Sequence, residues 1–184
     1  MCNEKIALGY ELYTSGYVNR YHSHPHPHLR NAQDLTDAHS NRMVKLLYLF
    51  FPELAHRGTL VAYIVMHDAG ESASGDSPFT AKIANPKLKE ALDEVEGQRL
   101  AQFYGLFQND LRIDLTQKEE NVVKLLDLLE SFLFQAIHAP GRMDEEHHLF
   151  QNIEKRAREL EVYPEVRCMM MHALHRNNAA TKGY

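Results

Sequence analysis

Cysteine is scarce in this chain: only Cys2 and Cys168 stand among 184 residues. Two thiols so far apart offer neither a zinc-type spacing nor a disulfide framework, and both are read as reduced, in a reducing compartment. Basic residues never gather into a run, and the formal net charge is -5. No duplex nucleic acid and no membrane surface is therefore expected as a partner, although a few local cations can still hold a small anion. Long apolar runs are missing too. The longest, Leu46 to Phe51 and Leu60 to Met66, fall far short of a bilayer span, and Met1-Cys2-Asn3-Glu4-Lys5 does not lead into a signal-peptide core. There is no glycine-rich phosphate loop, no internal repeat and no alternating strand pattern of useful length. These absences leave one expectation, a cytoplasmic all-α chain whose residues 1–184 form a single domain able to bury its own core.

Helical periodicity is what the chain does have. Ile6, Tyr10 and Tyr13 recur at helical spacing from Glu4 to about Thr14, and Ser15-Gly16 supplies a stop. The prolines of His22-Ser23-His24-Pro25-His26-Pro27-His28 favour an extended loop. Its four histidines are read as imidazoles turned to solvent, because alternate residues on an extended chain converge poorly on one ion. From Asp34 or Thr36 a second helix places Met43, Leu46, Leu47 and Phe50 on one stripe, ending at Phe51-Pro52. Thr59 is read as the N-cap of a third, Leu60 to about Ala73, apolar on nearly every face until His67. Asn85-Pro86 opens a fourth, to about Gln108, and Thr116-Gln117-Lys118-Glu119 is a capping-box pattern before a fifth over Val122 to Ile137. A sixth follows Asp144-Glu145-Glu146 with Leu149, Ile153, Ala157 and Leu160 on one side. Pro164 opens the last, through about Arg176, whose methionines are read as packing or a subunit contact.

Three polar intrusions interrupt this pattern. His39 falls on the buried stripe of the second helix, His67-Asp68 sits at the apolar end of the third, and Asp127 stands amid the leucines of the fifth. Each has an ordinary explanation when taken alone: a core histidine bonded to a carbonyl, or an ion pair such as Asp127 with Lys124 one turn back. Glu71 lies four residues beyond His67, on the same face of a continuous helix, with Asp68 rotated by about 100°. Together, two imidazoles and two carboxylates make a mixed nitrogen and oxygen set suited to a divalent first-row metal.

The order His…His-Asp…Asp on successive helices resembles the signature of the HD-domain metal-dependent phosphohydrolases. More narrowly, Asn19-Arg20-Tyr21, Ala38-His39-Ser40, His67-Asp68-Ala69-Gly70-Glu71 and Gly75-Asp76-Ser77-Pro78 are similar to the small bacterial 5'-deoxynucleotidases and to dATP triphosphohydrolases of phages that replace adenine with 2-aminoadenine. The likeness runs through roughly residues 5 to 135 in order and spacing. It implies an HD-domain helical bundle in which His39, His67, Asp68 and Asp127 bind the metal and Glu71 stands beside the attacking water. It further implies that Arg20 contacts phosphate or nucleotide, that Asp76 meets the sugar or leaving oxygen, and that Lys82 and Lys124 bind phosphate. Tyr21 takes a place where many relatives carry tryptophan; it can still stack on a base, but it is smaller and adds a hydroxyl.

What the resemblance implies is a divalent ion (Zn, Co, Mn or Fe), a deoxynucleotide substrate and a homo-oligomer, in the host cytoplasm if the chain is of phage origin. The lysines beside the arginine point to hydrolysis of a deoxynucleoside triphosphate, most readily dATP, to deoxynucleoside and triphosphate. The rival within the same chemistry is a 5'-deoxynucleotidase acting on monophosphates. A third reading, of another class, is a catalytically silent nucleotide-binding module in which the buried histidines are structural; Glu71 and Asp76 are the residues such a module has no need of.

Overall fold

The computed structural model of the chain describes residues 2–75, 82, 84–107 and 114–181. The fold is all-α, with eight α-helices and one short pair of strands among the described residues. In order these are α1 (Cys2–Ser15), β1 (Asn19–Arg20), α2 (Pro27–Arg30), β2 (Asp34–Leu35), α3 (Thr36–Phe50), α4 (Gly58–Met66), a 3-10 turn (Ala69–Ala73), α5 (Pro86–Gly105), α6 (Gln117–His138), α7 (His148–Glu159) and α8 (Tyr163–Thr181). Two compact units emerge, one built of Met1–Asn41 and Val61–Asp114, the other of Arg42–Leu60 and Leu115–Tyr184.

The first unit is organised around the 3-10 turn, which packs against α1 and α5. Met66, Ala69 and Phe103 are buried together, with Leu8, Leu12, Leu100, Tyr104 and Leu106 against them. The buried face of α1 is therefore the one carrying Leu8 and Leu12, and the Ile6, Tyr10 and Tyr13 spacing marks its exposed side. The segment after α1 is less extended than its prolines suggest. Asn19 and Arg20 pair antiparallel with Leu35 and Asp34, and Pro27 opens the one-turn α2, at the helical position where a missing N–H costs nothing.

The sharpest departure concerns the third helix. Thr59 lies inside its first turn rather than capping it, and the α-helix stops at Met66, so His67 and Asp68 occupy a turn and Glu71 a 3-10 segment. The break has a local cause and a packing cause. Glu71 N–H donates to the Asp68 carbonyl at 3.0 Å, three residues back, which tightens the chain. Gly70 then lies so close to the Glu96 backbone of α5 that a Cβ would collide with that carbonyl. Ser74 Oγ adds a 2.8 Å hydrogen bond to the Glu96 carboxylate. α5 itself starts as its sequence dictates, Asn85 accepting from Leu88 N–H at 3.2 Å with Pro86 next to it.

In the second unit α6, α7 and α8 pack on one another. The capping box at Thr116 is complete, and Glu119, besides closing it, meets Arg57 at 2.7 Å. Leu125, Leu126, Leu129, Phe132, Ile153, Val166 and Met170 are fully buried, and the Phe132 and Phe150 rings meet edge to face at 5.6 Å. Glu119 and Glu130 are the buried carboxylates of α6, the latter 2.5 Å from Arg42 Nε, while Lys124 is exposed. His147 caps α7 by accepting from Leu149 N–H at 3.2 Å.

Two outcomes test this account. Gly70→Ala should lower stability by about 1–3 kcal/mol, the usual cost of forcing atoms into a filled space. Gly97→Ala, inside α5 with nothing within 4 Å of the new methyl, should raise it by about 1 kcal/mol; chemical denaturation of the two variants reads both. Burial, then the neighbouring His148 and Arg142, holds His147 below its ordinary value. Its contribution is thus complete above the unfolded-state value, about 6.5, and is lost as pH falls through the lower folded-state value. His147→Asn keeps a cap acceptor that does not titrate, and should flatten the change in melting temperature between pH 7.5 and pH 5.

Candidate metal centre

The centre is assembled from the first turn of α3 and the broken end of α4. His39 is completely buried on α3. His67 follows the last residue of α4, where backbone carbonyls have lost their helical partners. The His67 ring makes good one of these: its Nδ1 lies 2.7 Å from the Ile64 carbonyl oxygen. A carbonyl only accepts, so Nδ1 carries the proton, and in a neutral ring Nε2 is left with a bare lone pair.

That lone pair faces another acceptor. His67 Nε2 is 3.1 Å from Asp68 Oδ1, and His39 Nε2 is 3.6 Å from Asp68 Oδ2. The two rings lie 5.4 Å apart, centre to centre, with ligand nitrogens within 4.8 Å of one another. His67 Nε2 is buried and has no hydrogen-bond partner among the described residues. A lone pair held against a carboxylate, out of reach of water, is a repulsive contact unless positive charge stands between them. A divalent cation supplies that charge, and the imidazole N–H to carbonyl bond is the arrangement that orients histidine ligands toward metals. The residues present therefore fit a metal ion.

No protein-family model, curated protein or solved structure matches this chain. What the centre can do follows from its own atoms. Glu71 stands on the 3-10 turn directly after His67-Asp68, half-buried, with Oε2 fully enclosed. Behind the turn, burial, with Tyr63 adding to it, pushes the Tyr104 hydroxyl up to about 12, so it stays neutral.

The remaining sequence-derived residues divide clearly. Arg20 sits on β1 in a 3.4 Å ion pair with Asp34, its guanidinium 5.5 Å from the Tyr21 ring centre. Tyr21 has a left-handed backbone, φ 61°, which costs a non-glycine residue about 1–2 kcal/mol and fixes where its ring leaves the strand. Lys82 is 3.6 Å from the Glu96 carboxylate, so at least part of its charge is spent within the first unit. Asp127, half-buried, and Lys124 belong to α6 of the second unit. Asp76 lies outside the described residues, as do Ser77 and Pro78. The histidine-rich loop makes local bonds, His22 Nδ1 at 2.9 Å from the Asn19 carbonyl and His24 Nδ1 accepting from His26 N–H at 3.0 Å.

Sequence reading missed Glu96, whose backbone seats Gly70 and whose carboxylate holds Ser74 and Lys82. The available signal was Gly70 itself, a residue without a Cβ in the middle of the polar motif. Replacing His67 with Ala should weaken divalent-ion binding by roughly 100-fold or more, beyond the 10- to 100-fold typical of altered supporting contacts. Titration calorimetry with Zn and Mn, alongside circular dichroism to confirm helix content, is the measurement.

Proposed function

We propose that the chain is a metal-dependent phosphohydrolase acting on 2'-deoxynucleoside triphosphates, dATP foremost, and releasing deoxynucleoside and triphosphate. The observation that carries this reading is His67 Nε2, buried without a hydrogen-bond partner among the described residues and turned toward Asp68 next to His39. The sequence order His…His-Asp…Asp adds Asp127 as the fourth ligand. A divalent ion held by these groups supplies Lewis acidity to a phosphate oxygen and makes water a stronger acid at neutral pH.

The chain's own residues do the rest. Ile64, through its carbonyl, keeps the His67 ring aimed. Glu71 accepts a proton from water as the water oxygen attacks the α-phosphorus. The bond from phosphorus to the 5' oxygen breaks, and the leaving oxygen takes up a proton, for which Asp76 is the nearest candidate in sequence. Arg20, Lys82 and Lys124 offset phosphate charge as it redistributes, and Tyr21 stacks on the base.

One observation favours a second reading. Lys82 is already paired with Glu96, which weakens the case for a cluster of cations waiting for a polyphosphate. A 5'-deoxynucleotidase, releasing inorganic phosphate from a deoxynucleoside monophosphate, needs fewer cations and uses the same centre. Incubating the protein, with Zn, Co, Mn and Fe in turn, with all dNTPs, NTPs and dNMPs separates the two by the phosphate product. Asp127→Ala and Glu71→Gln should each lower turnover by at least roughly 100-fold, the former with loss of metal and the latter without. A metal-free wild type that binds nucleotide and turns none over would instead identify a binding module.

A further inference from the structure

The histidine-rich loop is not the row of solvent-facing imidazoles that its alternation suggests. Between β1 and β2 the chain bends, and Pro27 starts α2, so His26 and His28 leave the backbone on a turn rather than along a straight strand. Their rings stand 5.5 Å apart, centre to centre, tilted by 40°. That separation is close to the 5.4 Å between His39 and His67 in the candidate centre. Two imidazoles that share one ion through nitrogens at roughly 2.0–2.1 Å hold their ring centres about 5 Å apart, so this pair needs little rearrangement to do the same.

His26 also carries an orphaned atom. Its Nδ1 is enclosed and has no hydrogen-bond partner among the described residues. A buried polar nitrogen left in that state is costly, and coordination to a cation satisfies its lone pair. The ring is not spent on capping either: His26 is the N-cap of α2 but makes no side-chain cap bond. Its backbone is held by His24, whose Nδ1 accepts from His26 N–H at 3.0 Å. Pro25 and Pro27 fix φ on either side, which lowers the entropy lost on closing a chelate. His28 is exposed and can rotate to admit an ion. His22, by contrast, is turned to the Asn19 carbonyl by its own Nδ1.

We infer that His26 and His28 form a second metal site, outside the centre at His39 and His67, that takes a borderline divalent ion such as Ni or Zn on two imidazole nitrogens. No third His, Cys, Asp or Glu completes a three-ligand group with the pair among the described residues, so water fills the remaining positions. An all-nitrogen pair favours Ni and Zn over Mn, Mg and Ca, which prefer oxygen. The ion braces α2, a single turn closed by Arg30 N–H on the His26 carbonyl at 3.1 Å and too short to be stable alone. The braced loop begins directly after Arg20 and Tyr21. None of this depends on the reaction at the first centre.

Titration calorimetry of the full chain carrying His67→Ala, which disables the first centre, isolates the second. Ni should still bind that variant. Adding His26→Gln with His28→Gln should weaken Ni binding at least roughly tenfold with circular dichroism unchanged, whereas adding His22→Gln alone should leave it as it was. Long-range proton–nitrogen spectra of the imidazoles with Zn should mark His26 Nδ1 and one nitrogen of His28 as ligands. Failure of His67→Ala to bind Ni, undiminished binding once His26 and His28 are replaced, an equal loss from His22→Gln, Mn held as tightly as Ni, or coordination through His26 Nε2 would overturn the proposal.

Discussion

The hydrogen bond from His67 Nδ1 to the Ile64 carbonyl is the contact on which the candidate centre depends. It answers a backbone need, because α4 ends at Met66 and its last carbonyls require donors. In doing so it fixes the tautomer and the direction of the ring. In a neutral ring the second nitrogen then presents a lone pair, and the fold has placed that lone pair against Asp68, inside the protein. With the proton on Nε2 instead, His67 would donate to Asp68 in an ordinary hydrogen bond and offer no lone pair there to an ion.

Such an arrangement costs stability locally, so it has to be held from outside. A hydrogen bond within a turn contributes about 1 kcal/mol net. The turn's own bonds are therefore too weak to hold an acceptor against an acceptor, and packing must decide. The first unit supplies that packing from two sides. α5 offers the Glu96 backbone to Gly70 and its carboxylate to Ser74, and α1 closes Leu8 and Leu12 over Met66 and Ala69. Rigid support of this kind is what keeps a polar constellation in one geometry while water is excluded from it.

The parts of this fold that were legible in the sequence are those decided within a few residues. Asn85-Pro86 and Thr116 through Glu119 start their helices where the residues say, because a cap is a contact between neighbours in the chain. Met43, Leu46 and Leu47 of α3 and Leu149, Ile153 and Ala157 of α7 are likewise buried as their periodicity indicates, with Phe50 and Leu160 partly so. What was not legible is set by contacts distant in sequence. The helix break after Met66 owes as much to α5 as to its own residues, Glu130 finds Arg42 across 88 positions, and Lys82 finds Glu96. α1 misleads for a different reason. Its two apolar faces read alike in sequence, and the core took the leucines. For the centre, residue types and order drew attention to His39, His67 and Asp68, whose side chains the fold brings close to one another. The direction of the His67 ring, which turns these polar residues into a set that suits a cation, is decided by the folded backbone at the end of α4.

Gly70 carries a consequence of its own. It contributes no atom to the centre, yet the backbone it allows to approach α5 positions the residues on either side of it. Damage at Gly70 would therefore imitate the loss of a ligand, although every ligating atom would still be encoded. In a survey of inactive variants ranked by activity alone, this glycine would stand beside the histidines and be mistaken for chemistry. Only a measurement of the folded fraction would return it to its place, as the point where one helix's backbone sets the shape of another's end.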